Sequence, residues 1–118
     1  MSEQFACMVN DLQPGSAMLA ELTEESGKDV PVAVIRSDDG EFYAIGDECS
    51  HGEVSLSEGE VKGCFVECWA HGSRFDARSG EPIDFPAITP VPVYPIRIDG
   101  ERVLVDVDNP TTSTKELK

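Results

Sequence analysis

Two short stretches constrain this chain more than any other feature: Cys49-Ser50-His51 and Cys68-Trp69-Ala70-His71, separated by 16 residues. Together they offer two thiolates and two imidazoles, a donor set suited to tetrahedral S₂N₂ metal ligation. Residue type alone leaves zinc and iron–sulfur chemistry both open. The order of the donors is more informative. A structural zinc site usually supplies a cysteine pair and then a histidine pair, whereas here each loop contributes one of each, as C-x-H and C-x₂-H. A two-iron cluster suits that order. Each iron already carries two bridging sulfides and needs two protein ligands, so two mixed loops can grip both irons at once.

The pattern runs on through Gly72-Ser73-Arg74-Phe75-Asp76 and Ser79-Gly80. With the four donors it resembles a Rieske ferredoxin, over roughly residues 5 to 107, strongly at the loops and weakly elsewhere. The resemblance implies one [2Fe–2S] cluster per chain, with Cys49 and Cys68 on the buried iron and His51 and His71 on the outer iron. It implies an all-β, Rieske-like fold: an antiparallel β-sandwich or barrel base with an inserted cluster-binding subdomain. On this basis residues 1–108 form the Rieske domain, about 46–87 the subdomain, and 109–118 a flexible tail.

The implied function is that of a soluble one-electron carrier, not an enzyme. It would take electrons from a flavin-dependent NAD(P)H reductase and pass them to a terminal non-haem iron oxygenase. A ferredoxin serving iron–sulfur cluster assembly or another redox client would look the same in sequence. A module resembling a nitrite reductase small subunit keeps the fold without a cluster, and four intact ligand positions argue against it. A zinc-binding interaction module would be colourless. Once His51 and His71 are ligands no histidine remains, and the chain has no Gly-rich phosphate loop and no nucleophile elbow.

Composition narrows the partners. At 118 residues the chain is one domain, large enough for a real core and too small for a separate substrate domain. Its formal net charge of −14 argues against nucleic acid and anionic membrane surfaces and favours a basic protein partner. Asp47, Glu48, Glu53, Glu58, Glu60 and Glu67 stand against Lys62 alone around the candidate loops, giving either a solubilising surface or a steering one. The amino terminus has no basic, apolar leader pattern, and the longest apolar stretch, Val30 to Ile35, is interrupted by Pro31. The expectations are a cytoplasmic monomer without a membrane anchor, and no disulfide framework for the four cysteines. Cys7 and Cys64 are then left over, with Cys64, in the apolar run Gly63-Cys64-Phe65-Val66, reading as a small buried hydrophobe.

Along the chain, strands are expected at Phe5–Val9, Ala17–Leu22, Val30–Ile35 and Glu41–Ile45, with a hairpin turn at Asp38-Asp39-Gly40. Glu60 to Glu67 reads as one strand leading into the second ligand loop, and Asp76 to Gly80 as a hairpin turn. Pro82, Pro86, Pro90, Pro92 and Pro95 rule out a long helix or an interior strand. By resemblance, the Phe85-Pro86 region covers the cluster. Val93–Ile98 and Glu101–Val107 form a closing hairpin around Asp99-Gly100.

The respiratory-chain Rieske proteins carry an extra cysteine in each ligand loop, and the matching positions here are Val54 and Ala70. No loop-bridging disulfide can form. In high-potential relatives the positions matching Ser73 and Phe75 hold a serine and a tyrosine, whose hydroxyls stabilise the reduced cluster. Only Ser73 keeps a hydroxyl here, so a potential near the bottom of the roughly −150 to +300 mV Rieske range is expected.

Overall fold

Val32, Ala33, Val34 and Ile35 are all completely buried, which is unusual for a strand because alternate side chains point to opposite faces. Both faces of this strand must therefore be covered, and the fold follows from that requirement. The computed structural model describes residues 3–47, 55–68, 74–83 and 91–108 and consists of β-strands and short 3₁₀ turns within them. The strand in question, β3 (Asp29–Arg36), lies inside a four-stranded antiparallel sheet with β2 (Ser16–Thr23), β4 (Phe42–Gly46) and β8 (Val93–Tyr94), in the order β2-β3-β4-β8.

On one side this sheet packs against a three-stranded sheet of β1 (Glu3–Met8), β10 (Arg102–Asp106) and β9 (Ile96–Asp99). Val30, Val32, Val34, Leu22, Val103 and Val105 fill the space between them. On the other side lies a small antiparallel sheet of β5 (Glu60–Lys62), β6 (Phe65–Glu67) and β7 (Arg74–Asp76). Ala33, Ile35, Ile45, Leu56, Val66, Cys68, Phe75 and Val91 make this second core. The molecule is thus three β-layers with two cores. The central sheet and the β1-β10-β9 sheet form the sandwich expected of the base, and the third layer is the inserted piece that leads into Cys68. The fold is all-β, as the sequence indicates.

Two sequence-derived strand boundaries and one burial expectation need correction. Glu60 to Glu67 is not one strand. It folds back at Gly63, whose φ of +63° suits glycine, and becomes the β5–β6 hairpin with Glu60 opposite Glu67. Cys64 at that hairpin tip is consequently half-buried beside Tyr43 and Arg78, and is not the fully buried hydrophobe expected from its apolar neighbours. Val93 to Ile98 is also split. Pro95, which has no N–H to donate, marks the corner where the chain leaves β4 and crosses to β10, so the two halves serve different sheets. The tail expected at 109–118 and the covering loop around Phe85-Pro86 lie outside the described residues. No helix among the described residues is long and apolar enough to cross a membrane.

Candidate metal centre

Of the four predicted ligands, the described residues include Cys68; Cys49, His51 and His71 lie outside them, as does Ser73. The described structure does fix where the two ligand loops start and end. The first leaves the base at Gly46-Asp47, the end of β4, and rejoins it at Ser55 before a 3₁₀ turn over Leu56–Glu58. The second begins at Cys68, immediately after β6, and returns at Arg74, the start of β7. Both therefore emerge at the same end of the small sheet, where Glu60 and Glu67 pair.

Cys68 is fully buried and belongs to the second core with Val66, Phe75, Leu56 and Val91. Val66 and Phe75 face each other across β6 and β7, and Cys68 follows Val66 on the same face of the strand. A thiol planted on close-packed, fully buried neighbours has few alternative positions, which is what a ligand needs. Its chemistry fits an iron–sulfur group: thiolate is a soft donor for iron, and a water-poor setting suits the inner, cysteine-held iron that the family resemblance implies.

Two features near the loops carry no signal in a single sequence. Gly59 has ordinary extended backbone, but a Cβ there would run into the carbonyl oxygen of Glu67, the residue before Cys68. The close crossing of β5's approach under the end of β6 depends on the missing side chain. Asp47 is the other. The sequence counts it among the surface acids around the loops, yet it is 6 % exposed and hydrogen-bonded at four points. Among the described acids of this region, Glu58 and Glu60 are the exposed ones. Only the fold shows that the Asp47 carboxylate turns inward.

Cys7 and Cys64 stay apart from the centre. Cys7 is buried in the first core, where burial raises its thiol above the ordinary range, and is packed as a small hydrophobe. Cys64 is at the hairpin tip, the opposite end of β6 from Cys68.

Comparison with known proteins agrees with this geometry. The Rieske [2Fe-2S] domain family matches residues 2–95. The biphenyl dioxygenase ferredoxin subunit of Pseudomonas sp. (strain KKS102) is 43% identical over 102 residues, covering 86% of this chain and 88% of that protein. The 3-phenylpropionate/cinnamic acid dioxygenase ferredoxin subunit of Escherichia coli (strain K12) is 34% identical over 108 residues, covering 91% and 95%. Among solved structures, a chain from a complex of reduced oxygenase and oxidized ferredoxin in carbazole 1,9a-dioxygenase superposes with a TM-score of 0.77 at 31% identity, covering 92% of this chain and 95% of that one. Similarity along nearly the whole length of such relatives, on a three-layer β fold that presents two loops at one end, makes this chain a member of the Rieske [2Fe–2S] family and, within it, of the dioxygenase ferredoxin subunits.

Proposed function

We propose that this protein delivers single electrons to a terminal oxygenase, using a Rieske cluster held by Cys49, His51, Cys68 and His71. The full-length likeness to dioxygenase ferredoxin subunits carries this reading. When bound, the [2Fe–2S] group supplies a one-electron redox couple. The chain's own part is to hold and shield it. Cys68 sits on the second core, which keeps water from its side of the group, while the resemblance implies that His51 and His71 hold the outer iron. The electron donor in this reading is a flavin-dependent NAD(P)H reductase, and the protein acts as a monomeric shuttle in the cytoplasm. Residues 1–108 act as one functional unit.

The test is reconstitution. Purified protein should show the visible bands and the reduced-state EPR signal of a Rieske centre, and should support turnover by a dioxygenase lacking its own ferredoxin. His71→Ala should lose the spectrum. An unchanged spectrum in that variant removes His71 from the ligand set, and a colourless wild-type protein refutes the cluster assignment.

The potential offers a finer check. Phe75 is completely buried in the same core as Cys68 and its ring has nothing to donate. Phe75→Tyr adds one hydroxyl at that position, and a hydrogen bond of about 0.5–1.5 kcal/mol to a cluster sulfur would raise a one-electron potential by roughly 20–60 mV. Protein-film voltammetry measures it directly. A potential that stays put, with an intact cluster spectrum, would show that the hydroxyl finds no sulfur.

A further inference from the structure

Asp47 is placed where a polar residue needs a reason. It follows Gly46 and the fully buried Ile45, is itself 6 % exposed, and lies against the second core through Leu56, which is 0 % exposed. Burying a carboxylate is unfavourable unless every oxygen finds a donor, and an apolar residue of similar size is commonly at least as stabilising. Here the donors are all present. Asp47 N–H donates to the Pro31 carbonyl on β3 at 3.2 Å, and the Asp47 carbonyl accepts from Leu56 N–H at 2.6 Å. Its carboxylate Oδ1 accepts from Ser57 N–H at 2.8 Å, and Oδ2 accepts from the Ser55 hydroxyl.

Three of these four bonds join Asp47 to Ser55, Leu56 and Ser57, so they close one loop on itself. Cys49 and His51 lie inside that loop. The closure also replaces a missing cap: Ser55 precedes the 3₁₀ turn but makes no side-chain cap bond to it, and the Ser57 N–H is satisfied by Asp47 from across the loop. The fourth bond, to Pro31, ties the closed loop to the central sheet.

We propose that Asp47 is a positioning residue for the cluster: with Ser55 it holds the first ligand loop shut, so that Cys49 and His51 stay in place when the bonds to iron lengthen or exchange. This rests on the ligand assignment made above. Cys68 needs no such device, since the second core fixes it.

The experiment uses the cluster-loaded protein and follows bleaching of the visible bands with a chelator present, alongside the thermal midpoint. The variants are Asp47→Ala, Asp47→Asn, Ser55→Ala and a control, Val105→Ala, which damages the other core. Asp47→Ala is expected to bleach about 10–100-fold faster than wild type, the usual effect of removing a group that orients a metal ligand. Val105→Ala should stay within about threefold of wild type, although it lowers the midpoint as well. Asp47→Asn keeps an acceptor for Ser57 N–H and can turn its amide toward Ser55 Oγ, so it should recover most of the retention. Ser55→Ala leaves the backbone closures untouched and should bleach several-fold faster; it carries the test if Asp47→Ala does not accumulate. Bleaching of the Asp47 or Ser55 variants no faster than Val105→Ala would overturn the proposal. A wild-type protein without a Rieske spectrum would instead refute the cluster reading beneath it.

Discussion

Gly59→Ala is expected to strip the protein of much of its cluster while costing the fold about 3 kcal/mol, the upper part of the range for overpacking a tight contact. The residue has φ −85° and ψ −177°, open to any amino acid, so no backbone strain enters. The whole effect comes from the methyl group. It would overlap the Glu67 carbonyl oxygen and crowd the Leu56 carbonyl oxygen at 3.3 Å, and neither is the movable end of a side chain. Relief requires β6 to shift away from the 3₁₀ turn. Because β6 runs directly into Cys68, and Leu56 N–H is bonded to the Asp47 carbonyl, the displacement reaches an end of each ligand loop. A calorimetric midpoint lowered by roughly 10 °C, with iron content per chain well below wild type, is the outcome to look for. Wild-type stability together with full iron occupancy would mean that the crossing is not as close as described.

Gly80→Ala should be of similar size for two reasons that a control can separate. Gly80 adopts φ +77°, where an L-residue costs about 1–2 kcal/mol, and a Cβ there would also overlap the carbonyl oxygen of Val91. Val91 N–H in turn donates to the Gly80 carbonyl at 2.8 Å, so the two residues clasp the ends of the proline-bearing segment that the sequence assigns to covering the cluster. Gly100 has φ +65° but nothing within 4 Å of its Cβ position. Gly100→Ala therefore reports the cost of the backbone conformation alone. The expected denaturation result is a loss of about 3 kcal/mol for Gly80→Ala against about 1 for Gly100→Ala. Equal losses in the two variants would leave strain as the sole cause and remove the clasp.

The predicted effects concentrate on backbone crossings that no motif marks. Along β3 and β10 the apolar runs were readable as strands because hydrophobic patterning is a local property. What the run Val32 to Ile35 could not say is that its two faces belong to different cores. That required the small β5-β6-β7 sheet, formed by residues far along the chain, to fold back over the central sheet. The split of Glu60–Glu67 at Gly63 has the same origin. The tip is held by reciprocal bonds to Asp38, whose carboxylate accepts from Gly63 N–H at 2.9 Å and whose own N–H donates to the Gly63 carbonyl at 3.3 Å. A turn stabilised by a residue 25 positions away leaves little local trace.

The sequence by itself determined the chemistry of this protein. Two thiolates and two imidazoles in C-x-H and C-x₂-H order, with the residues after His71, carry the family and its cluster, because ligand identity and order are properties of the covalent chain. Tertiary structure decided how the ends of the two loops are tied to the layers. Asp47 is an acidic residue in sequence and a buried staple in the fold; Gly59 is a flexible residue in sequence and a close crossing in the fold. Hydrogen-bond partners and steric contacts depend on which distant segments meet, and that is settled only when the three layers pack.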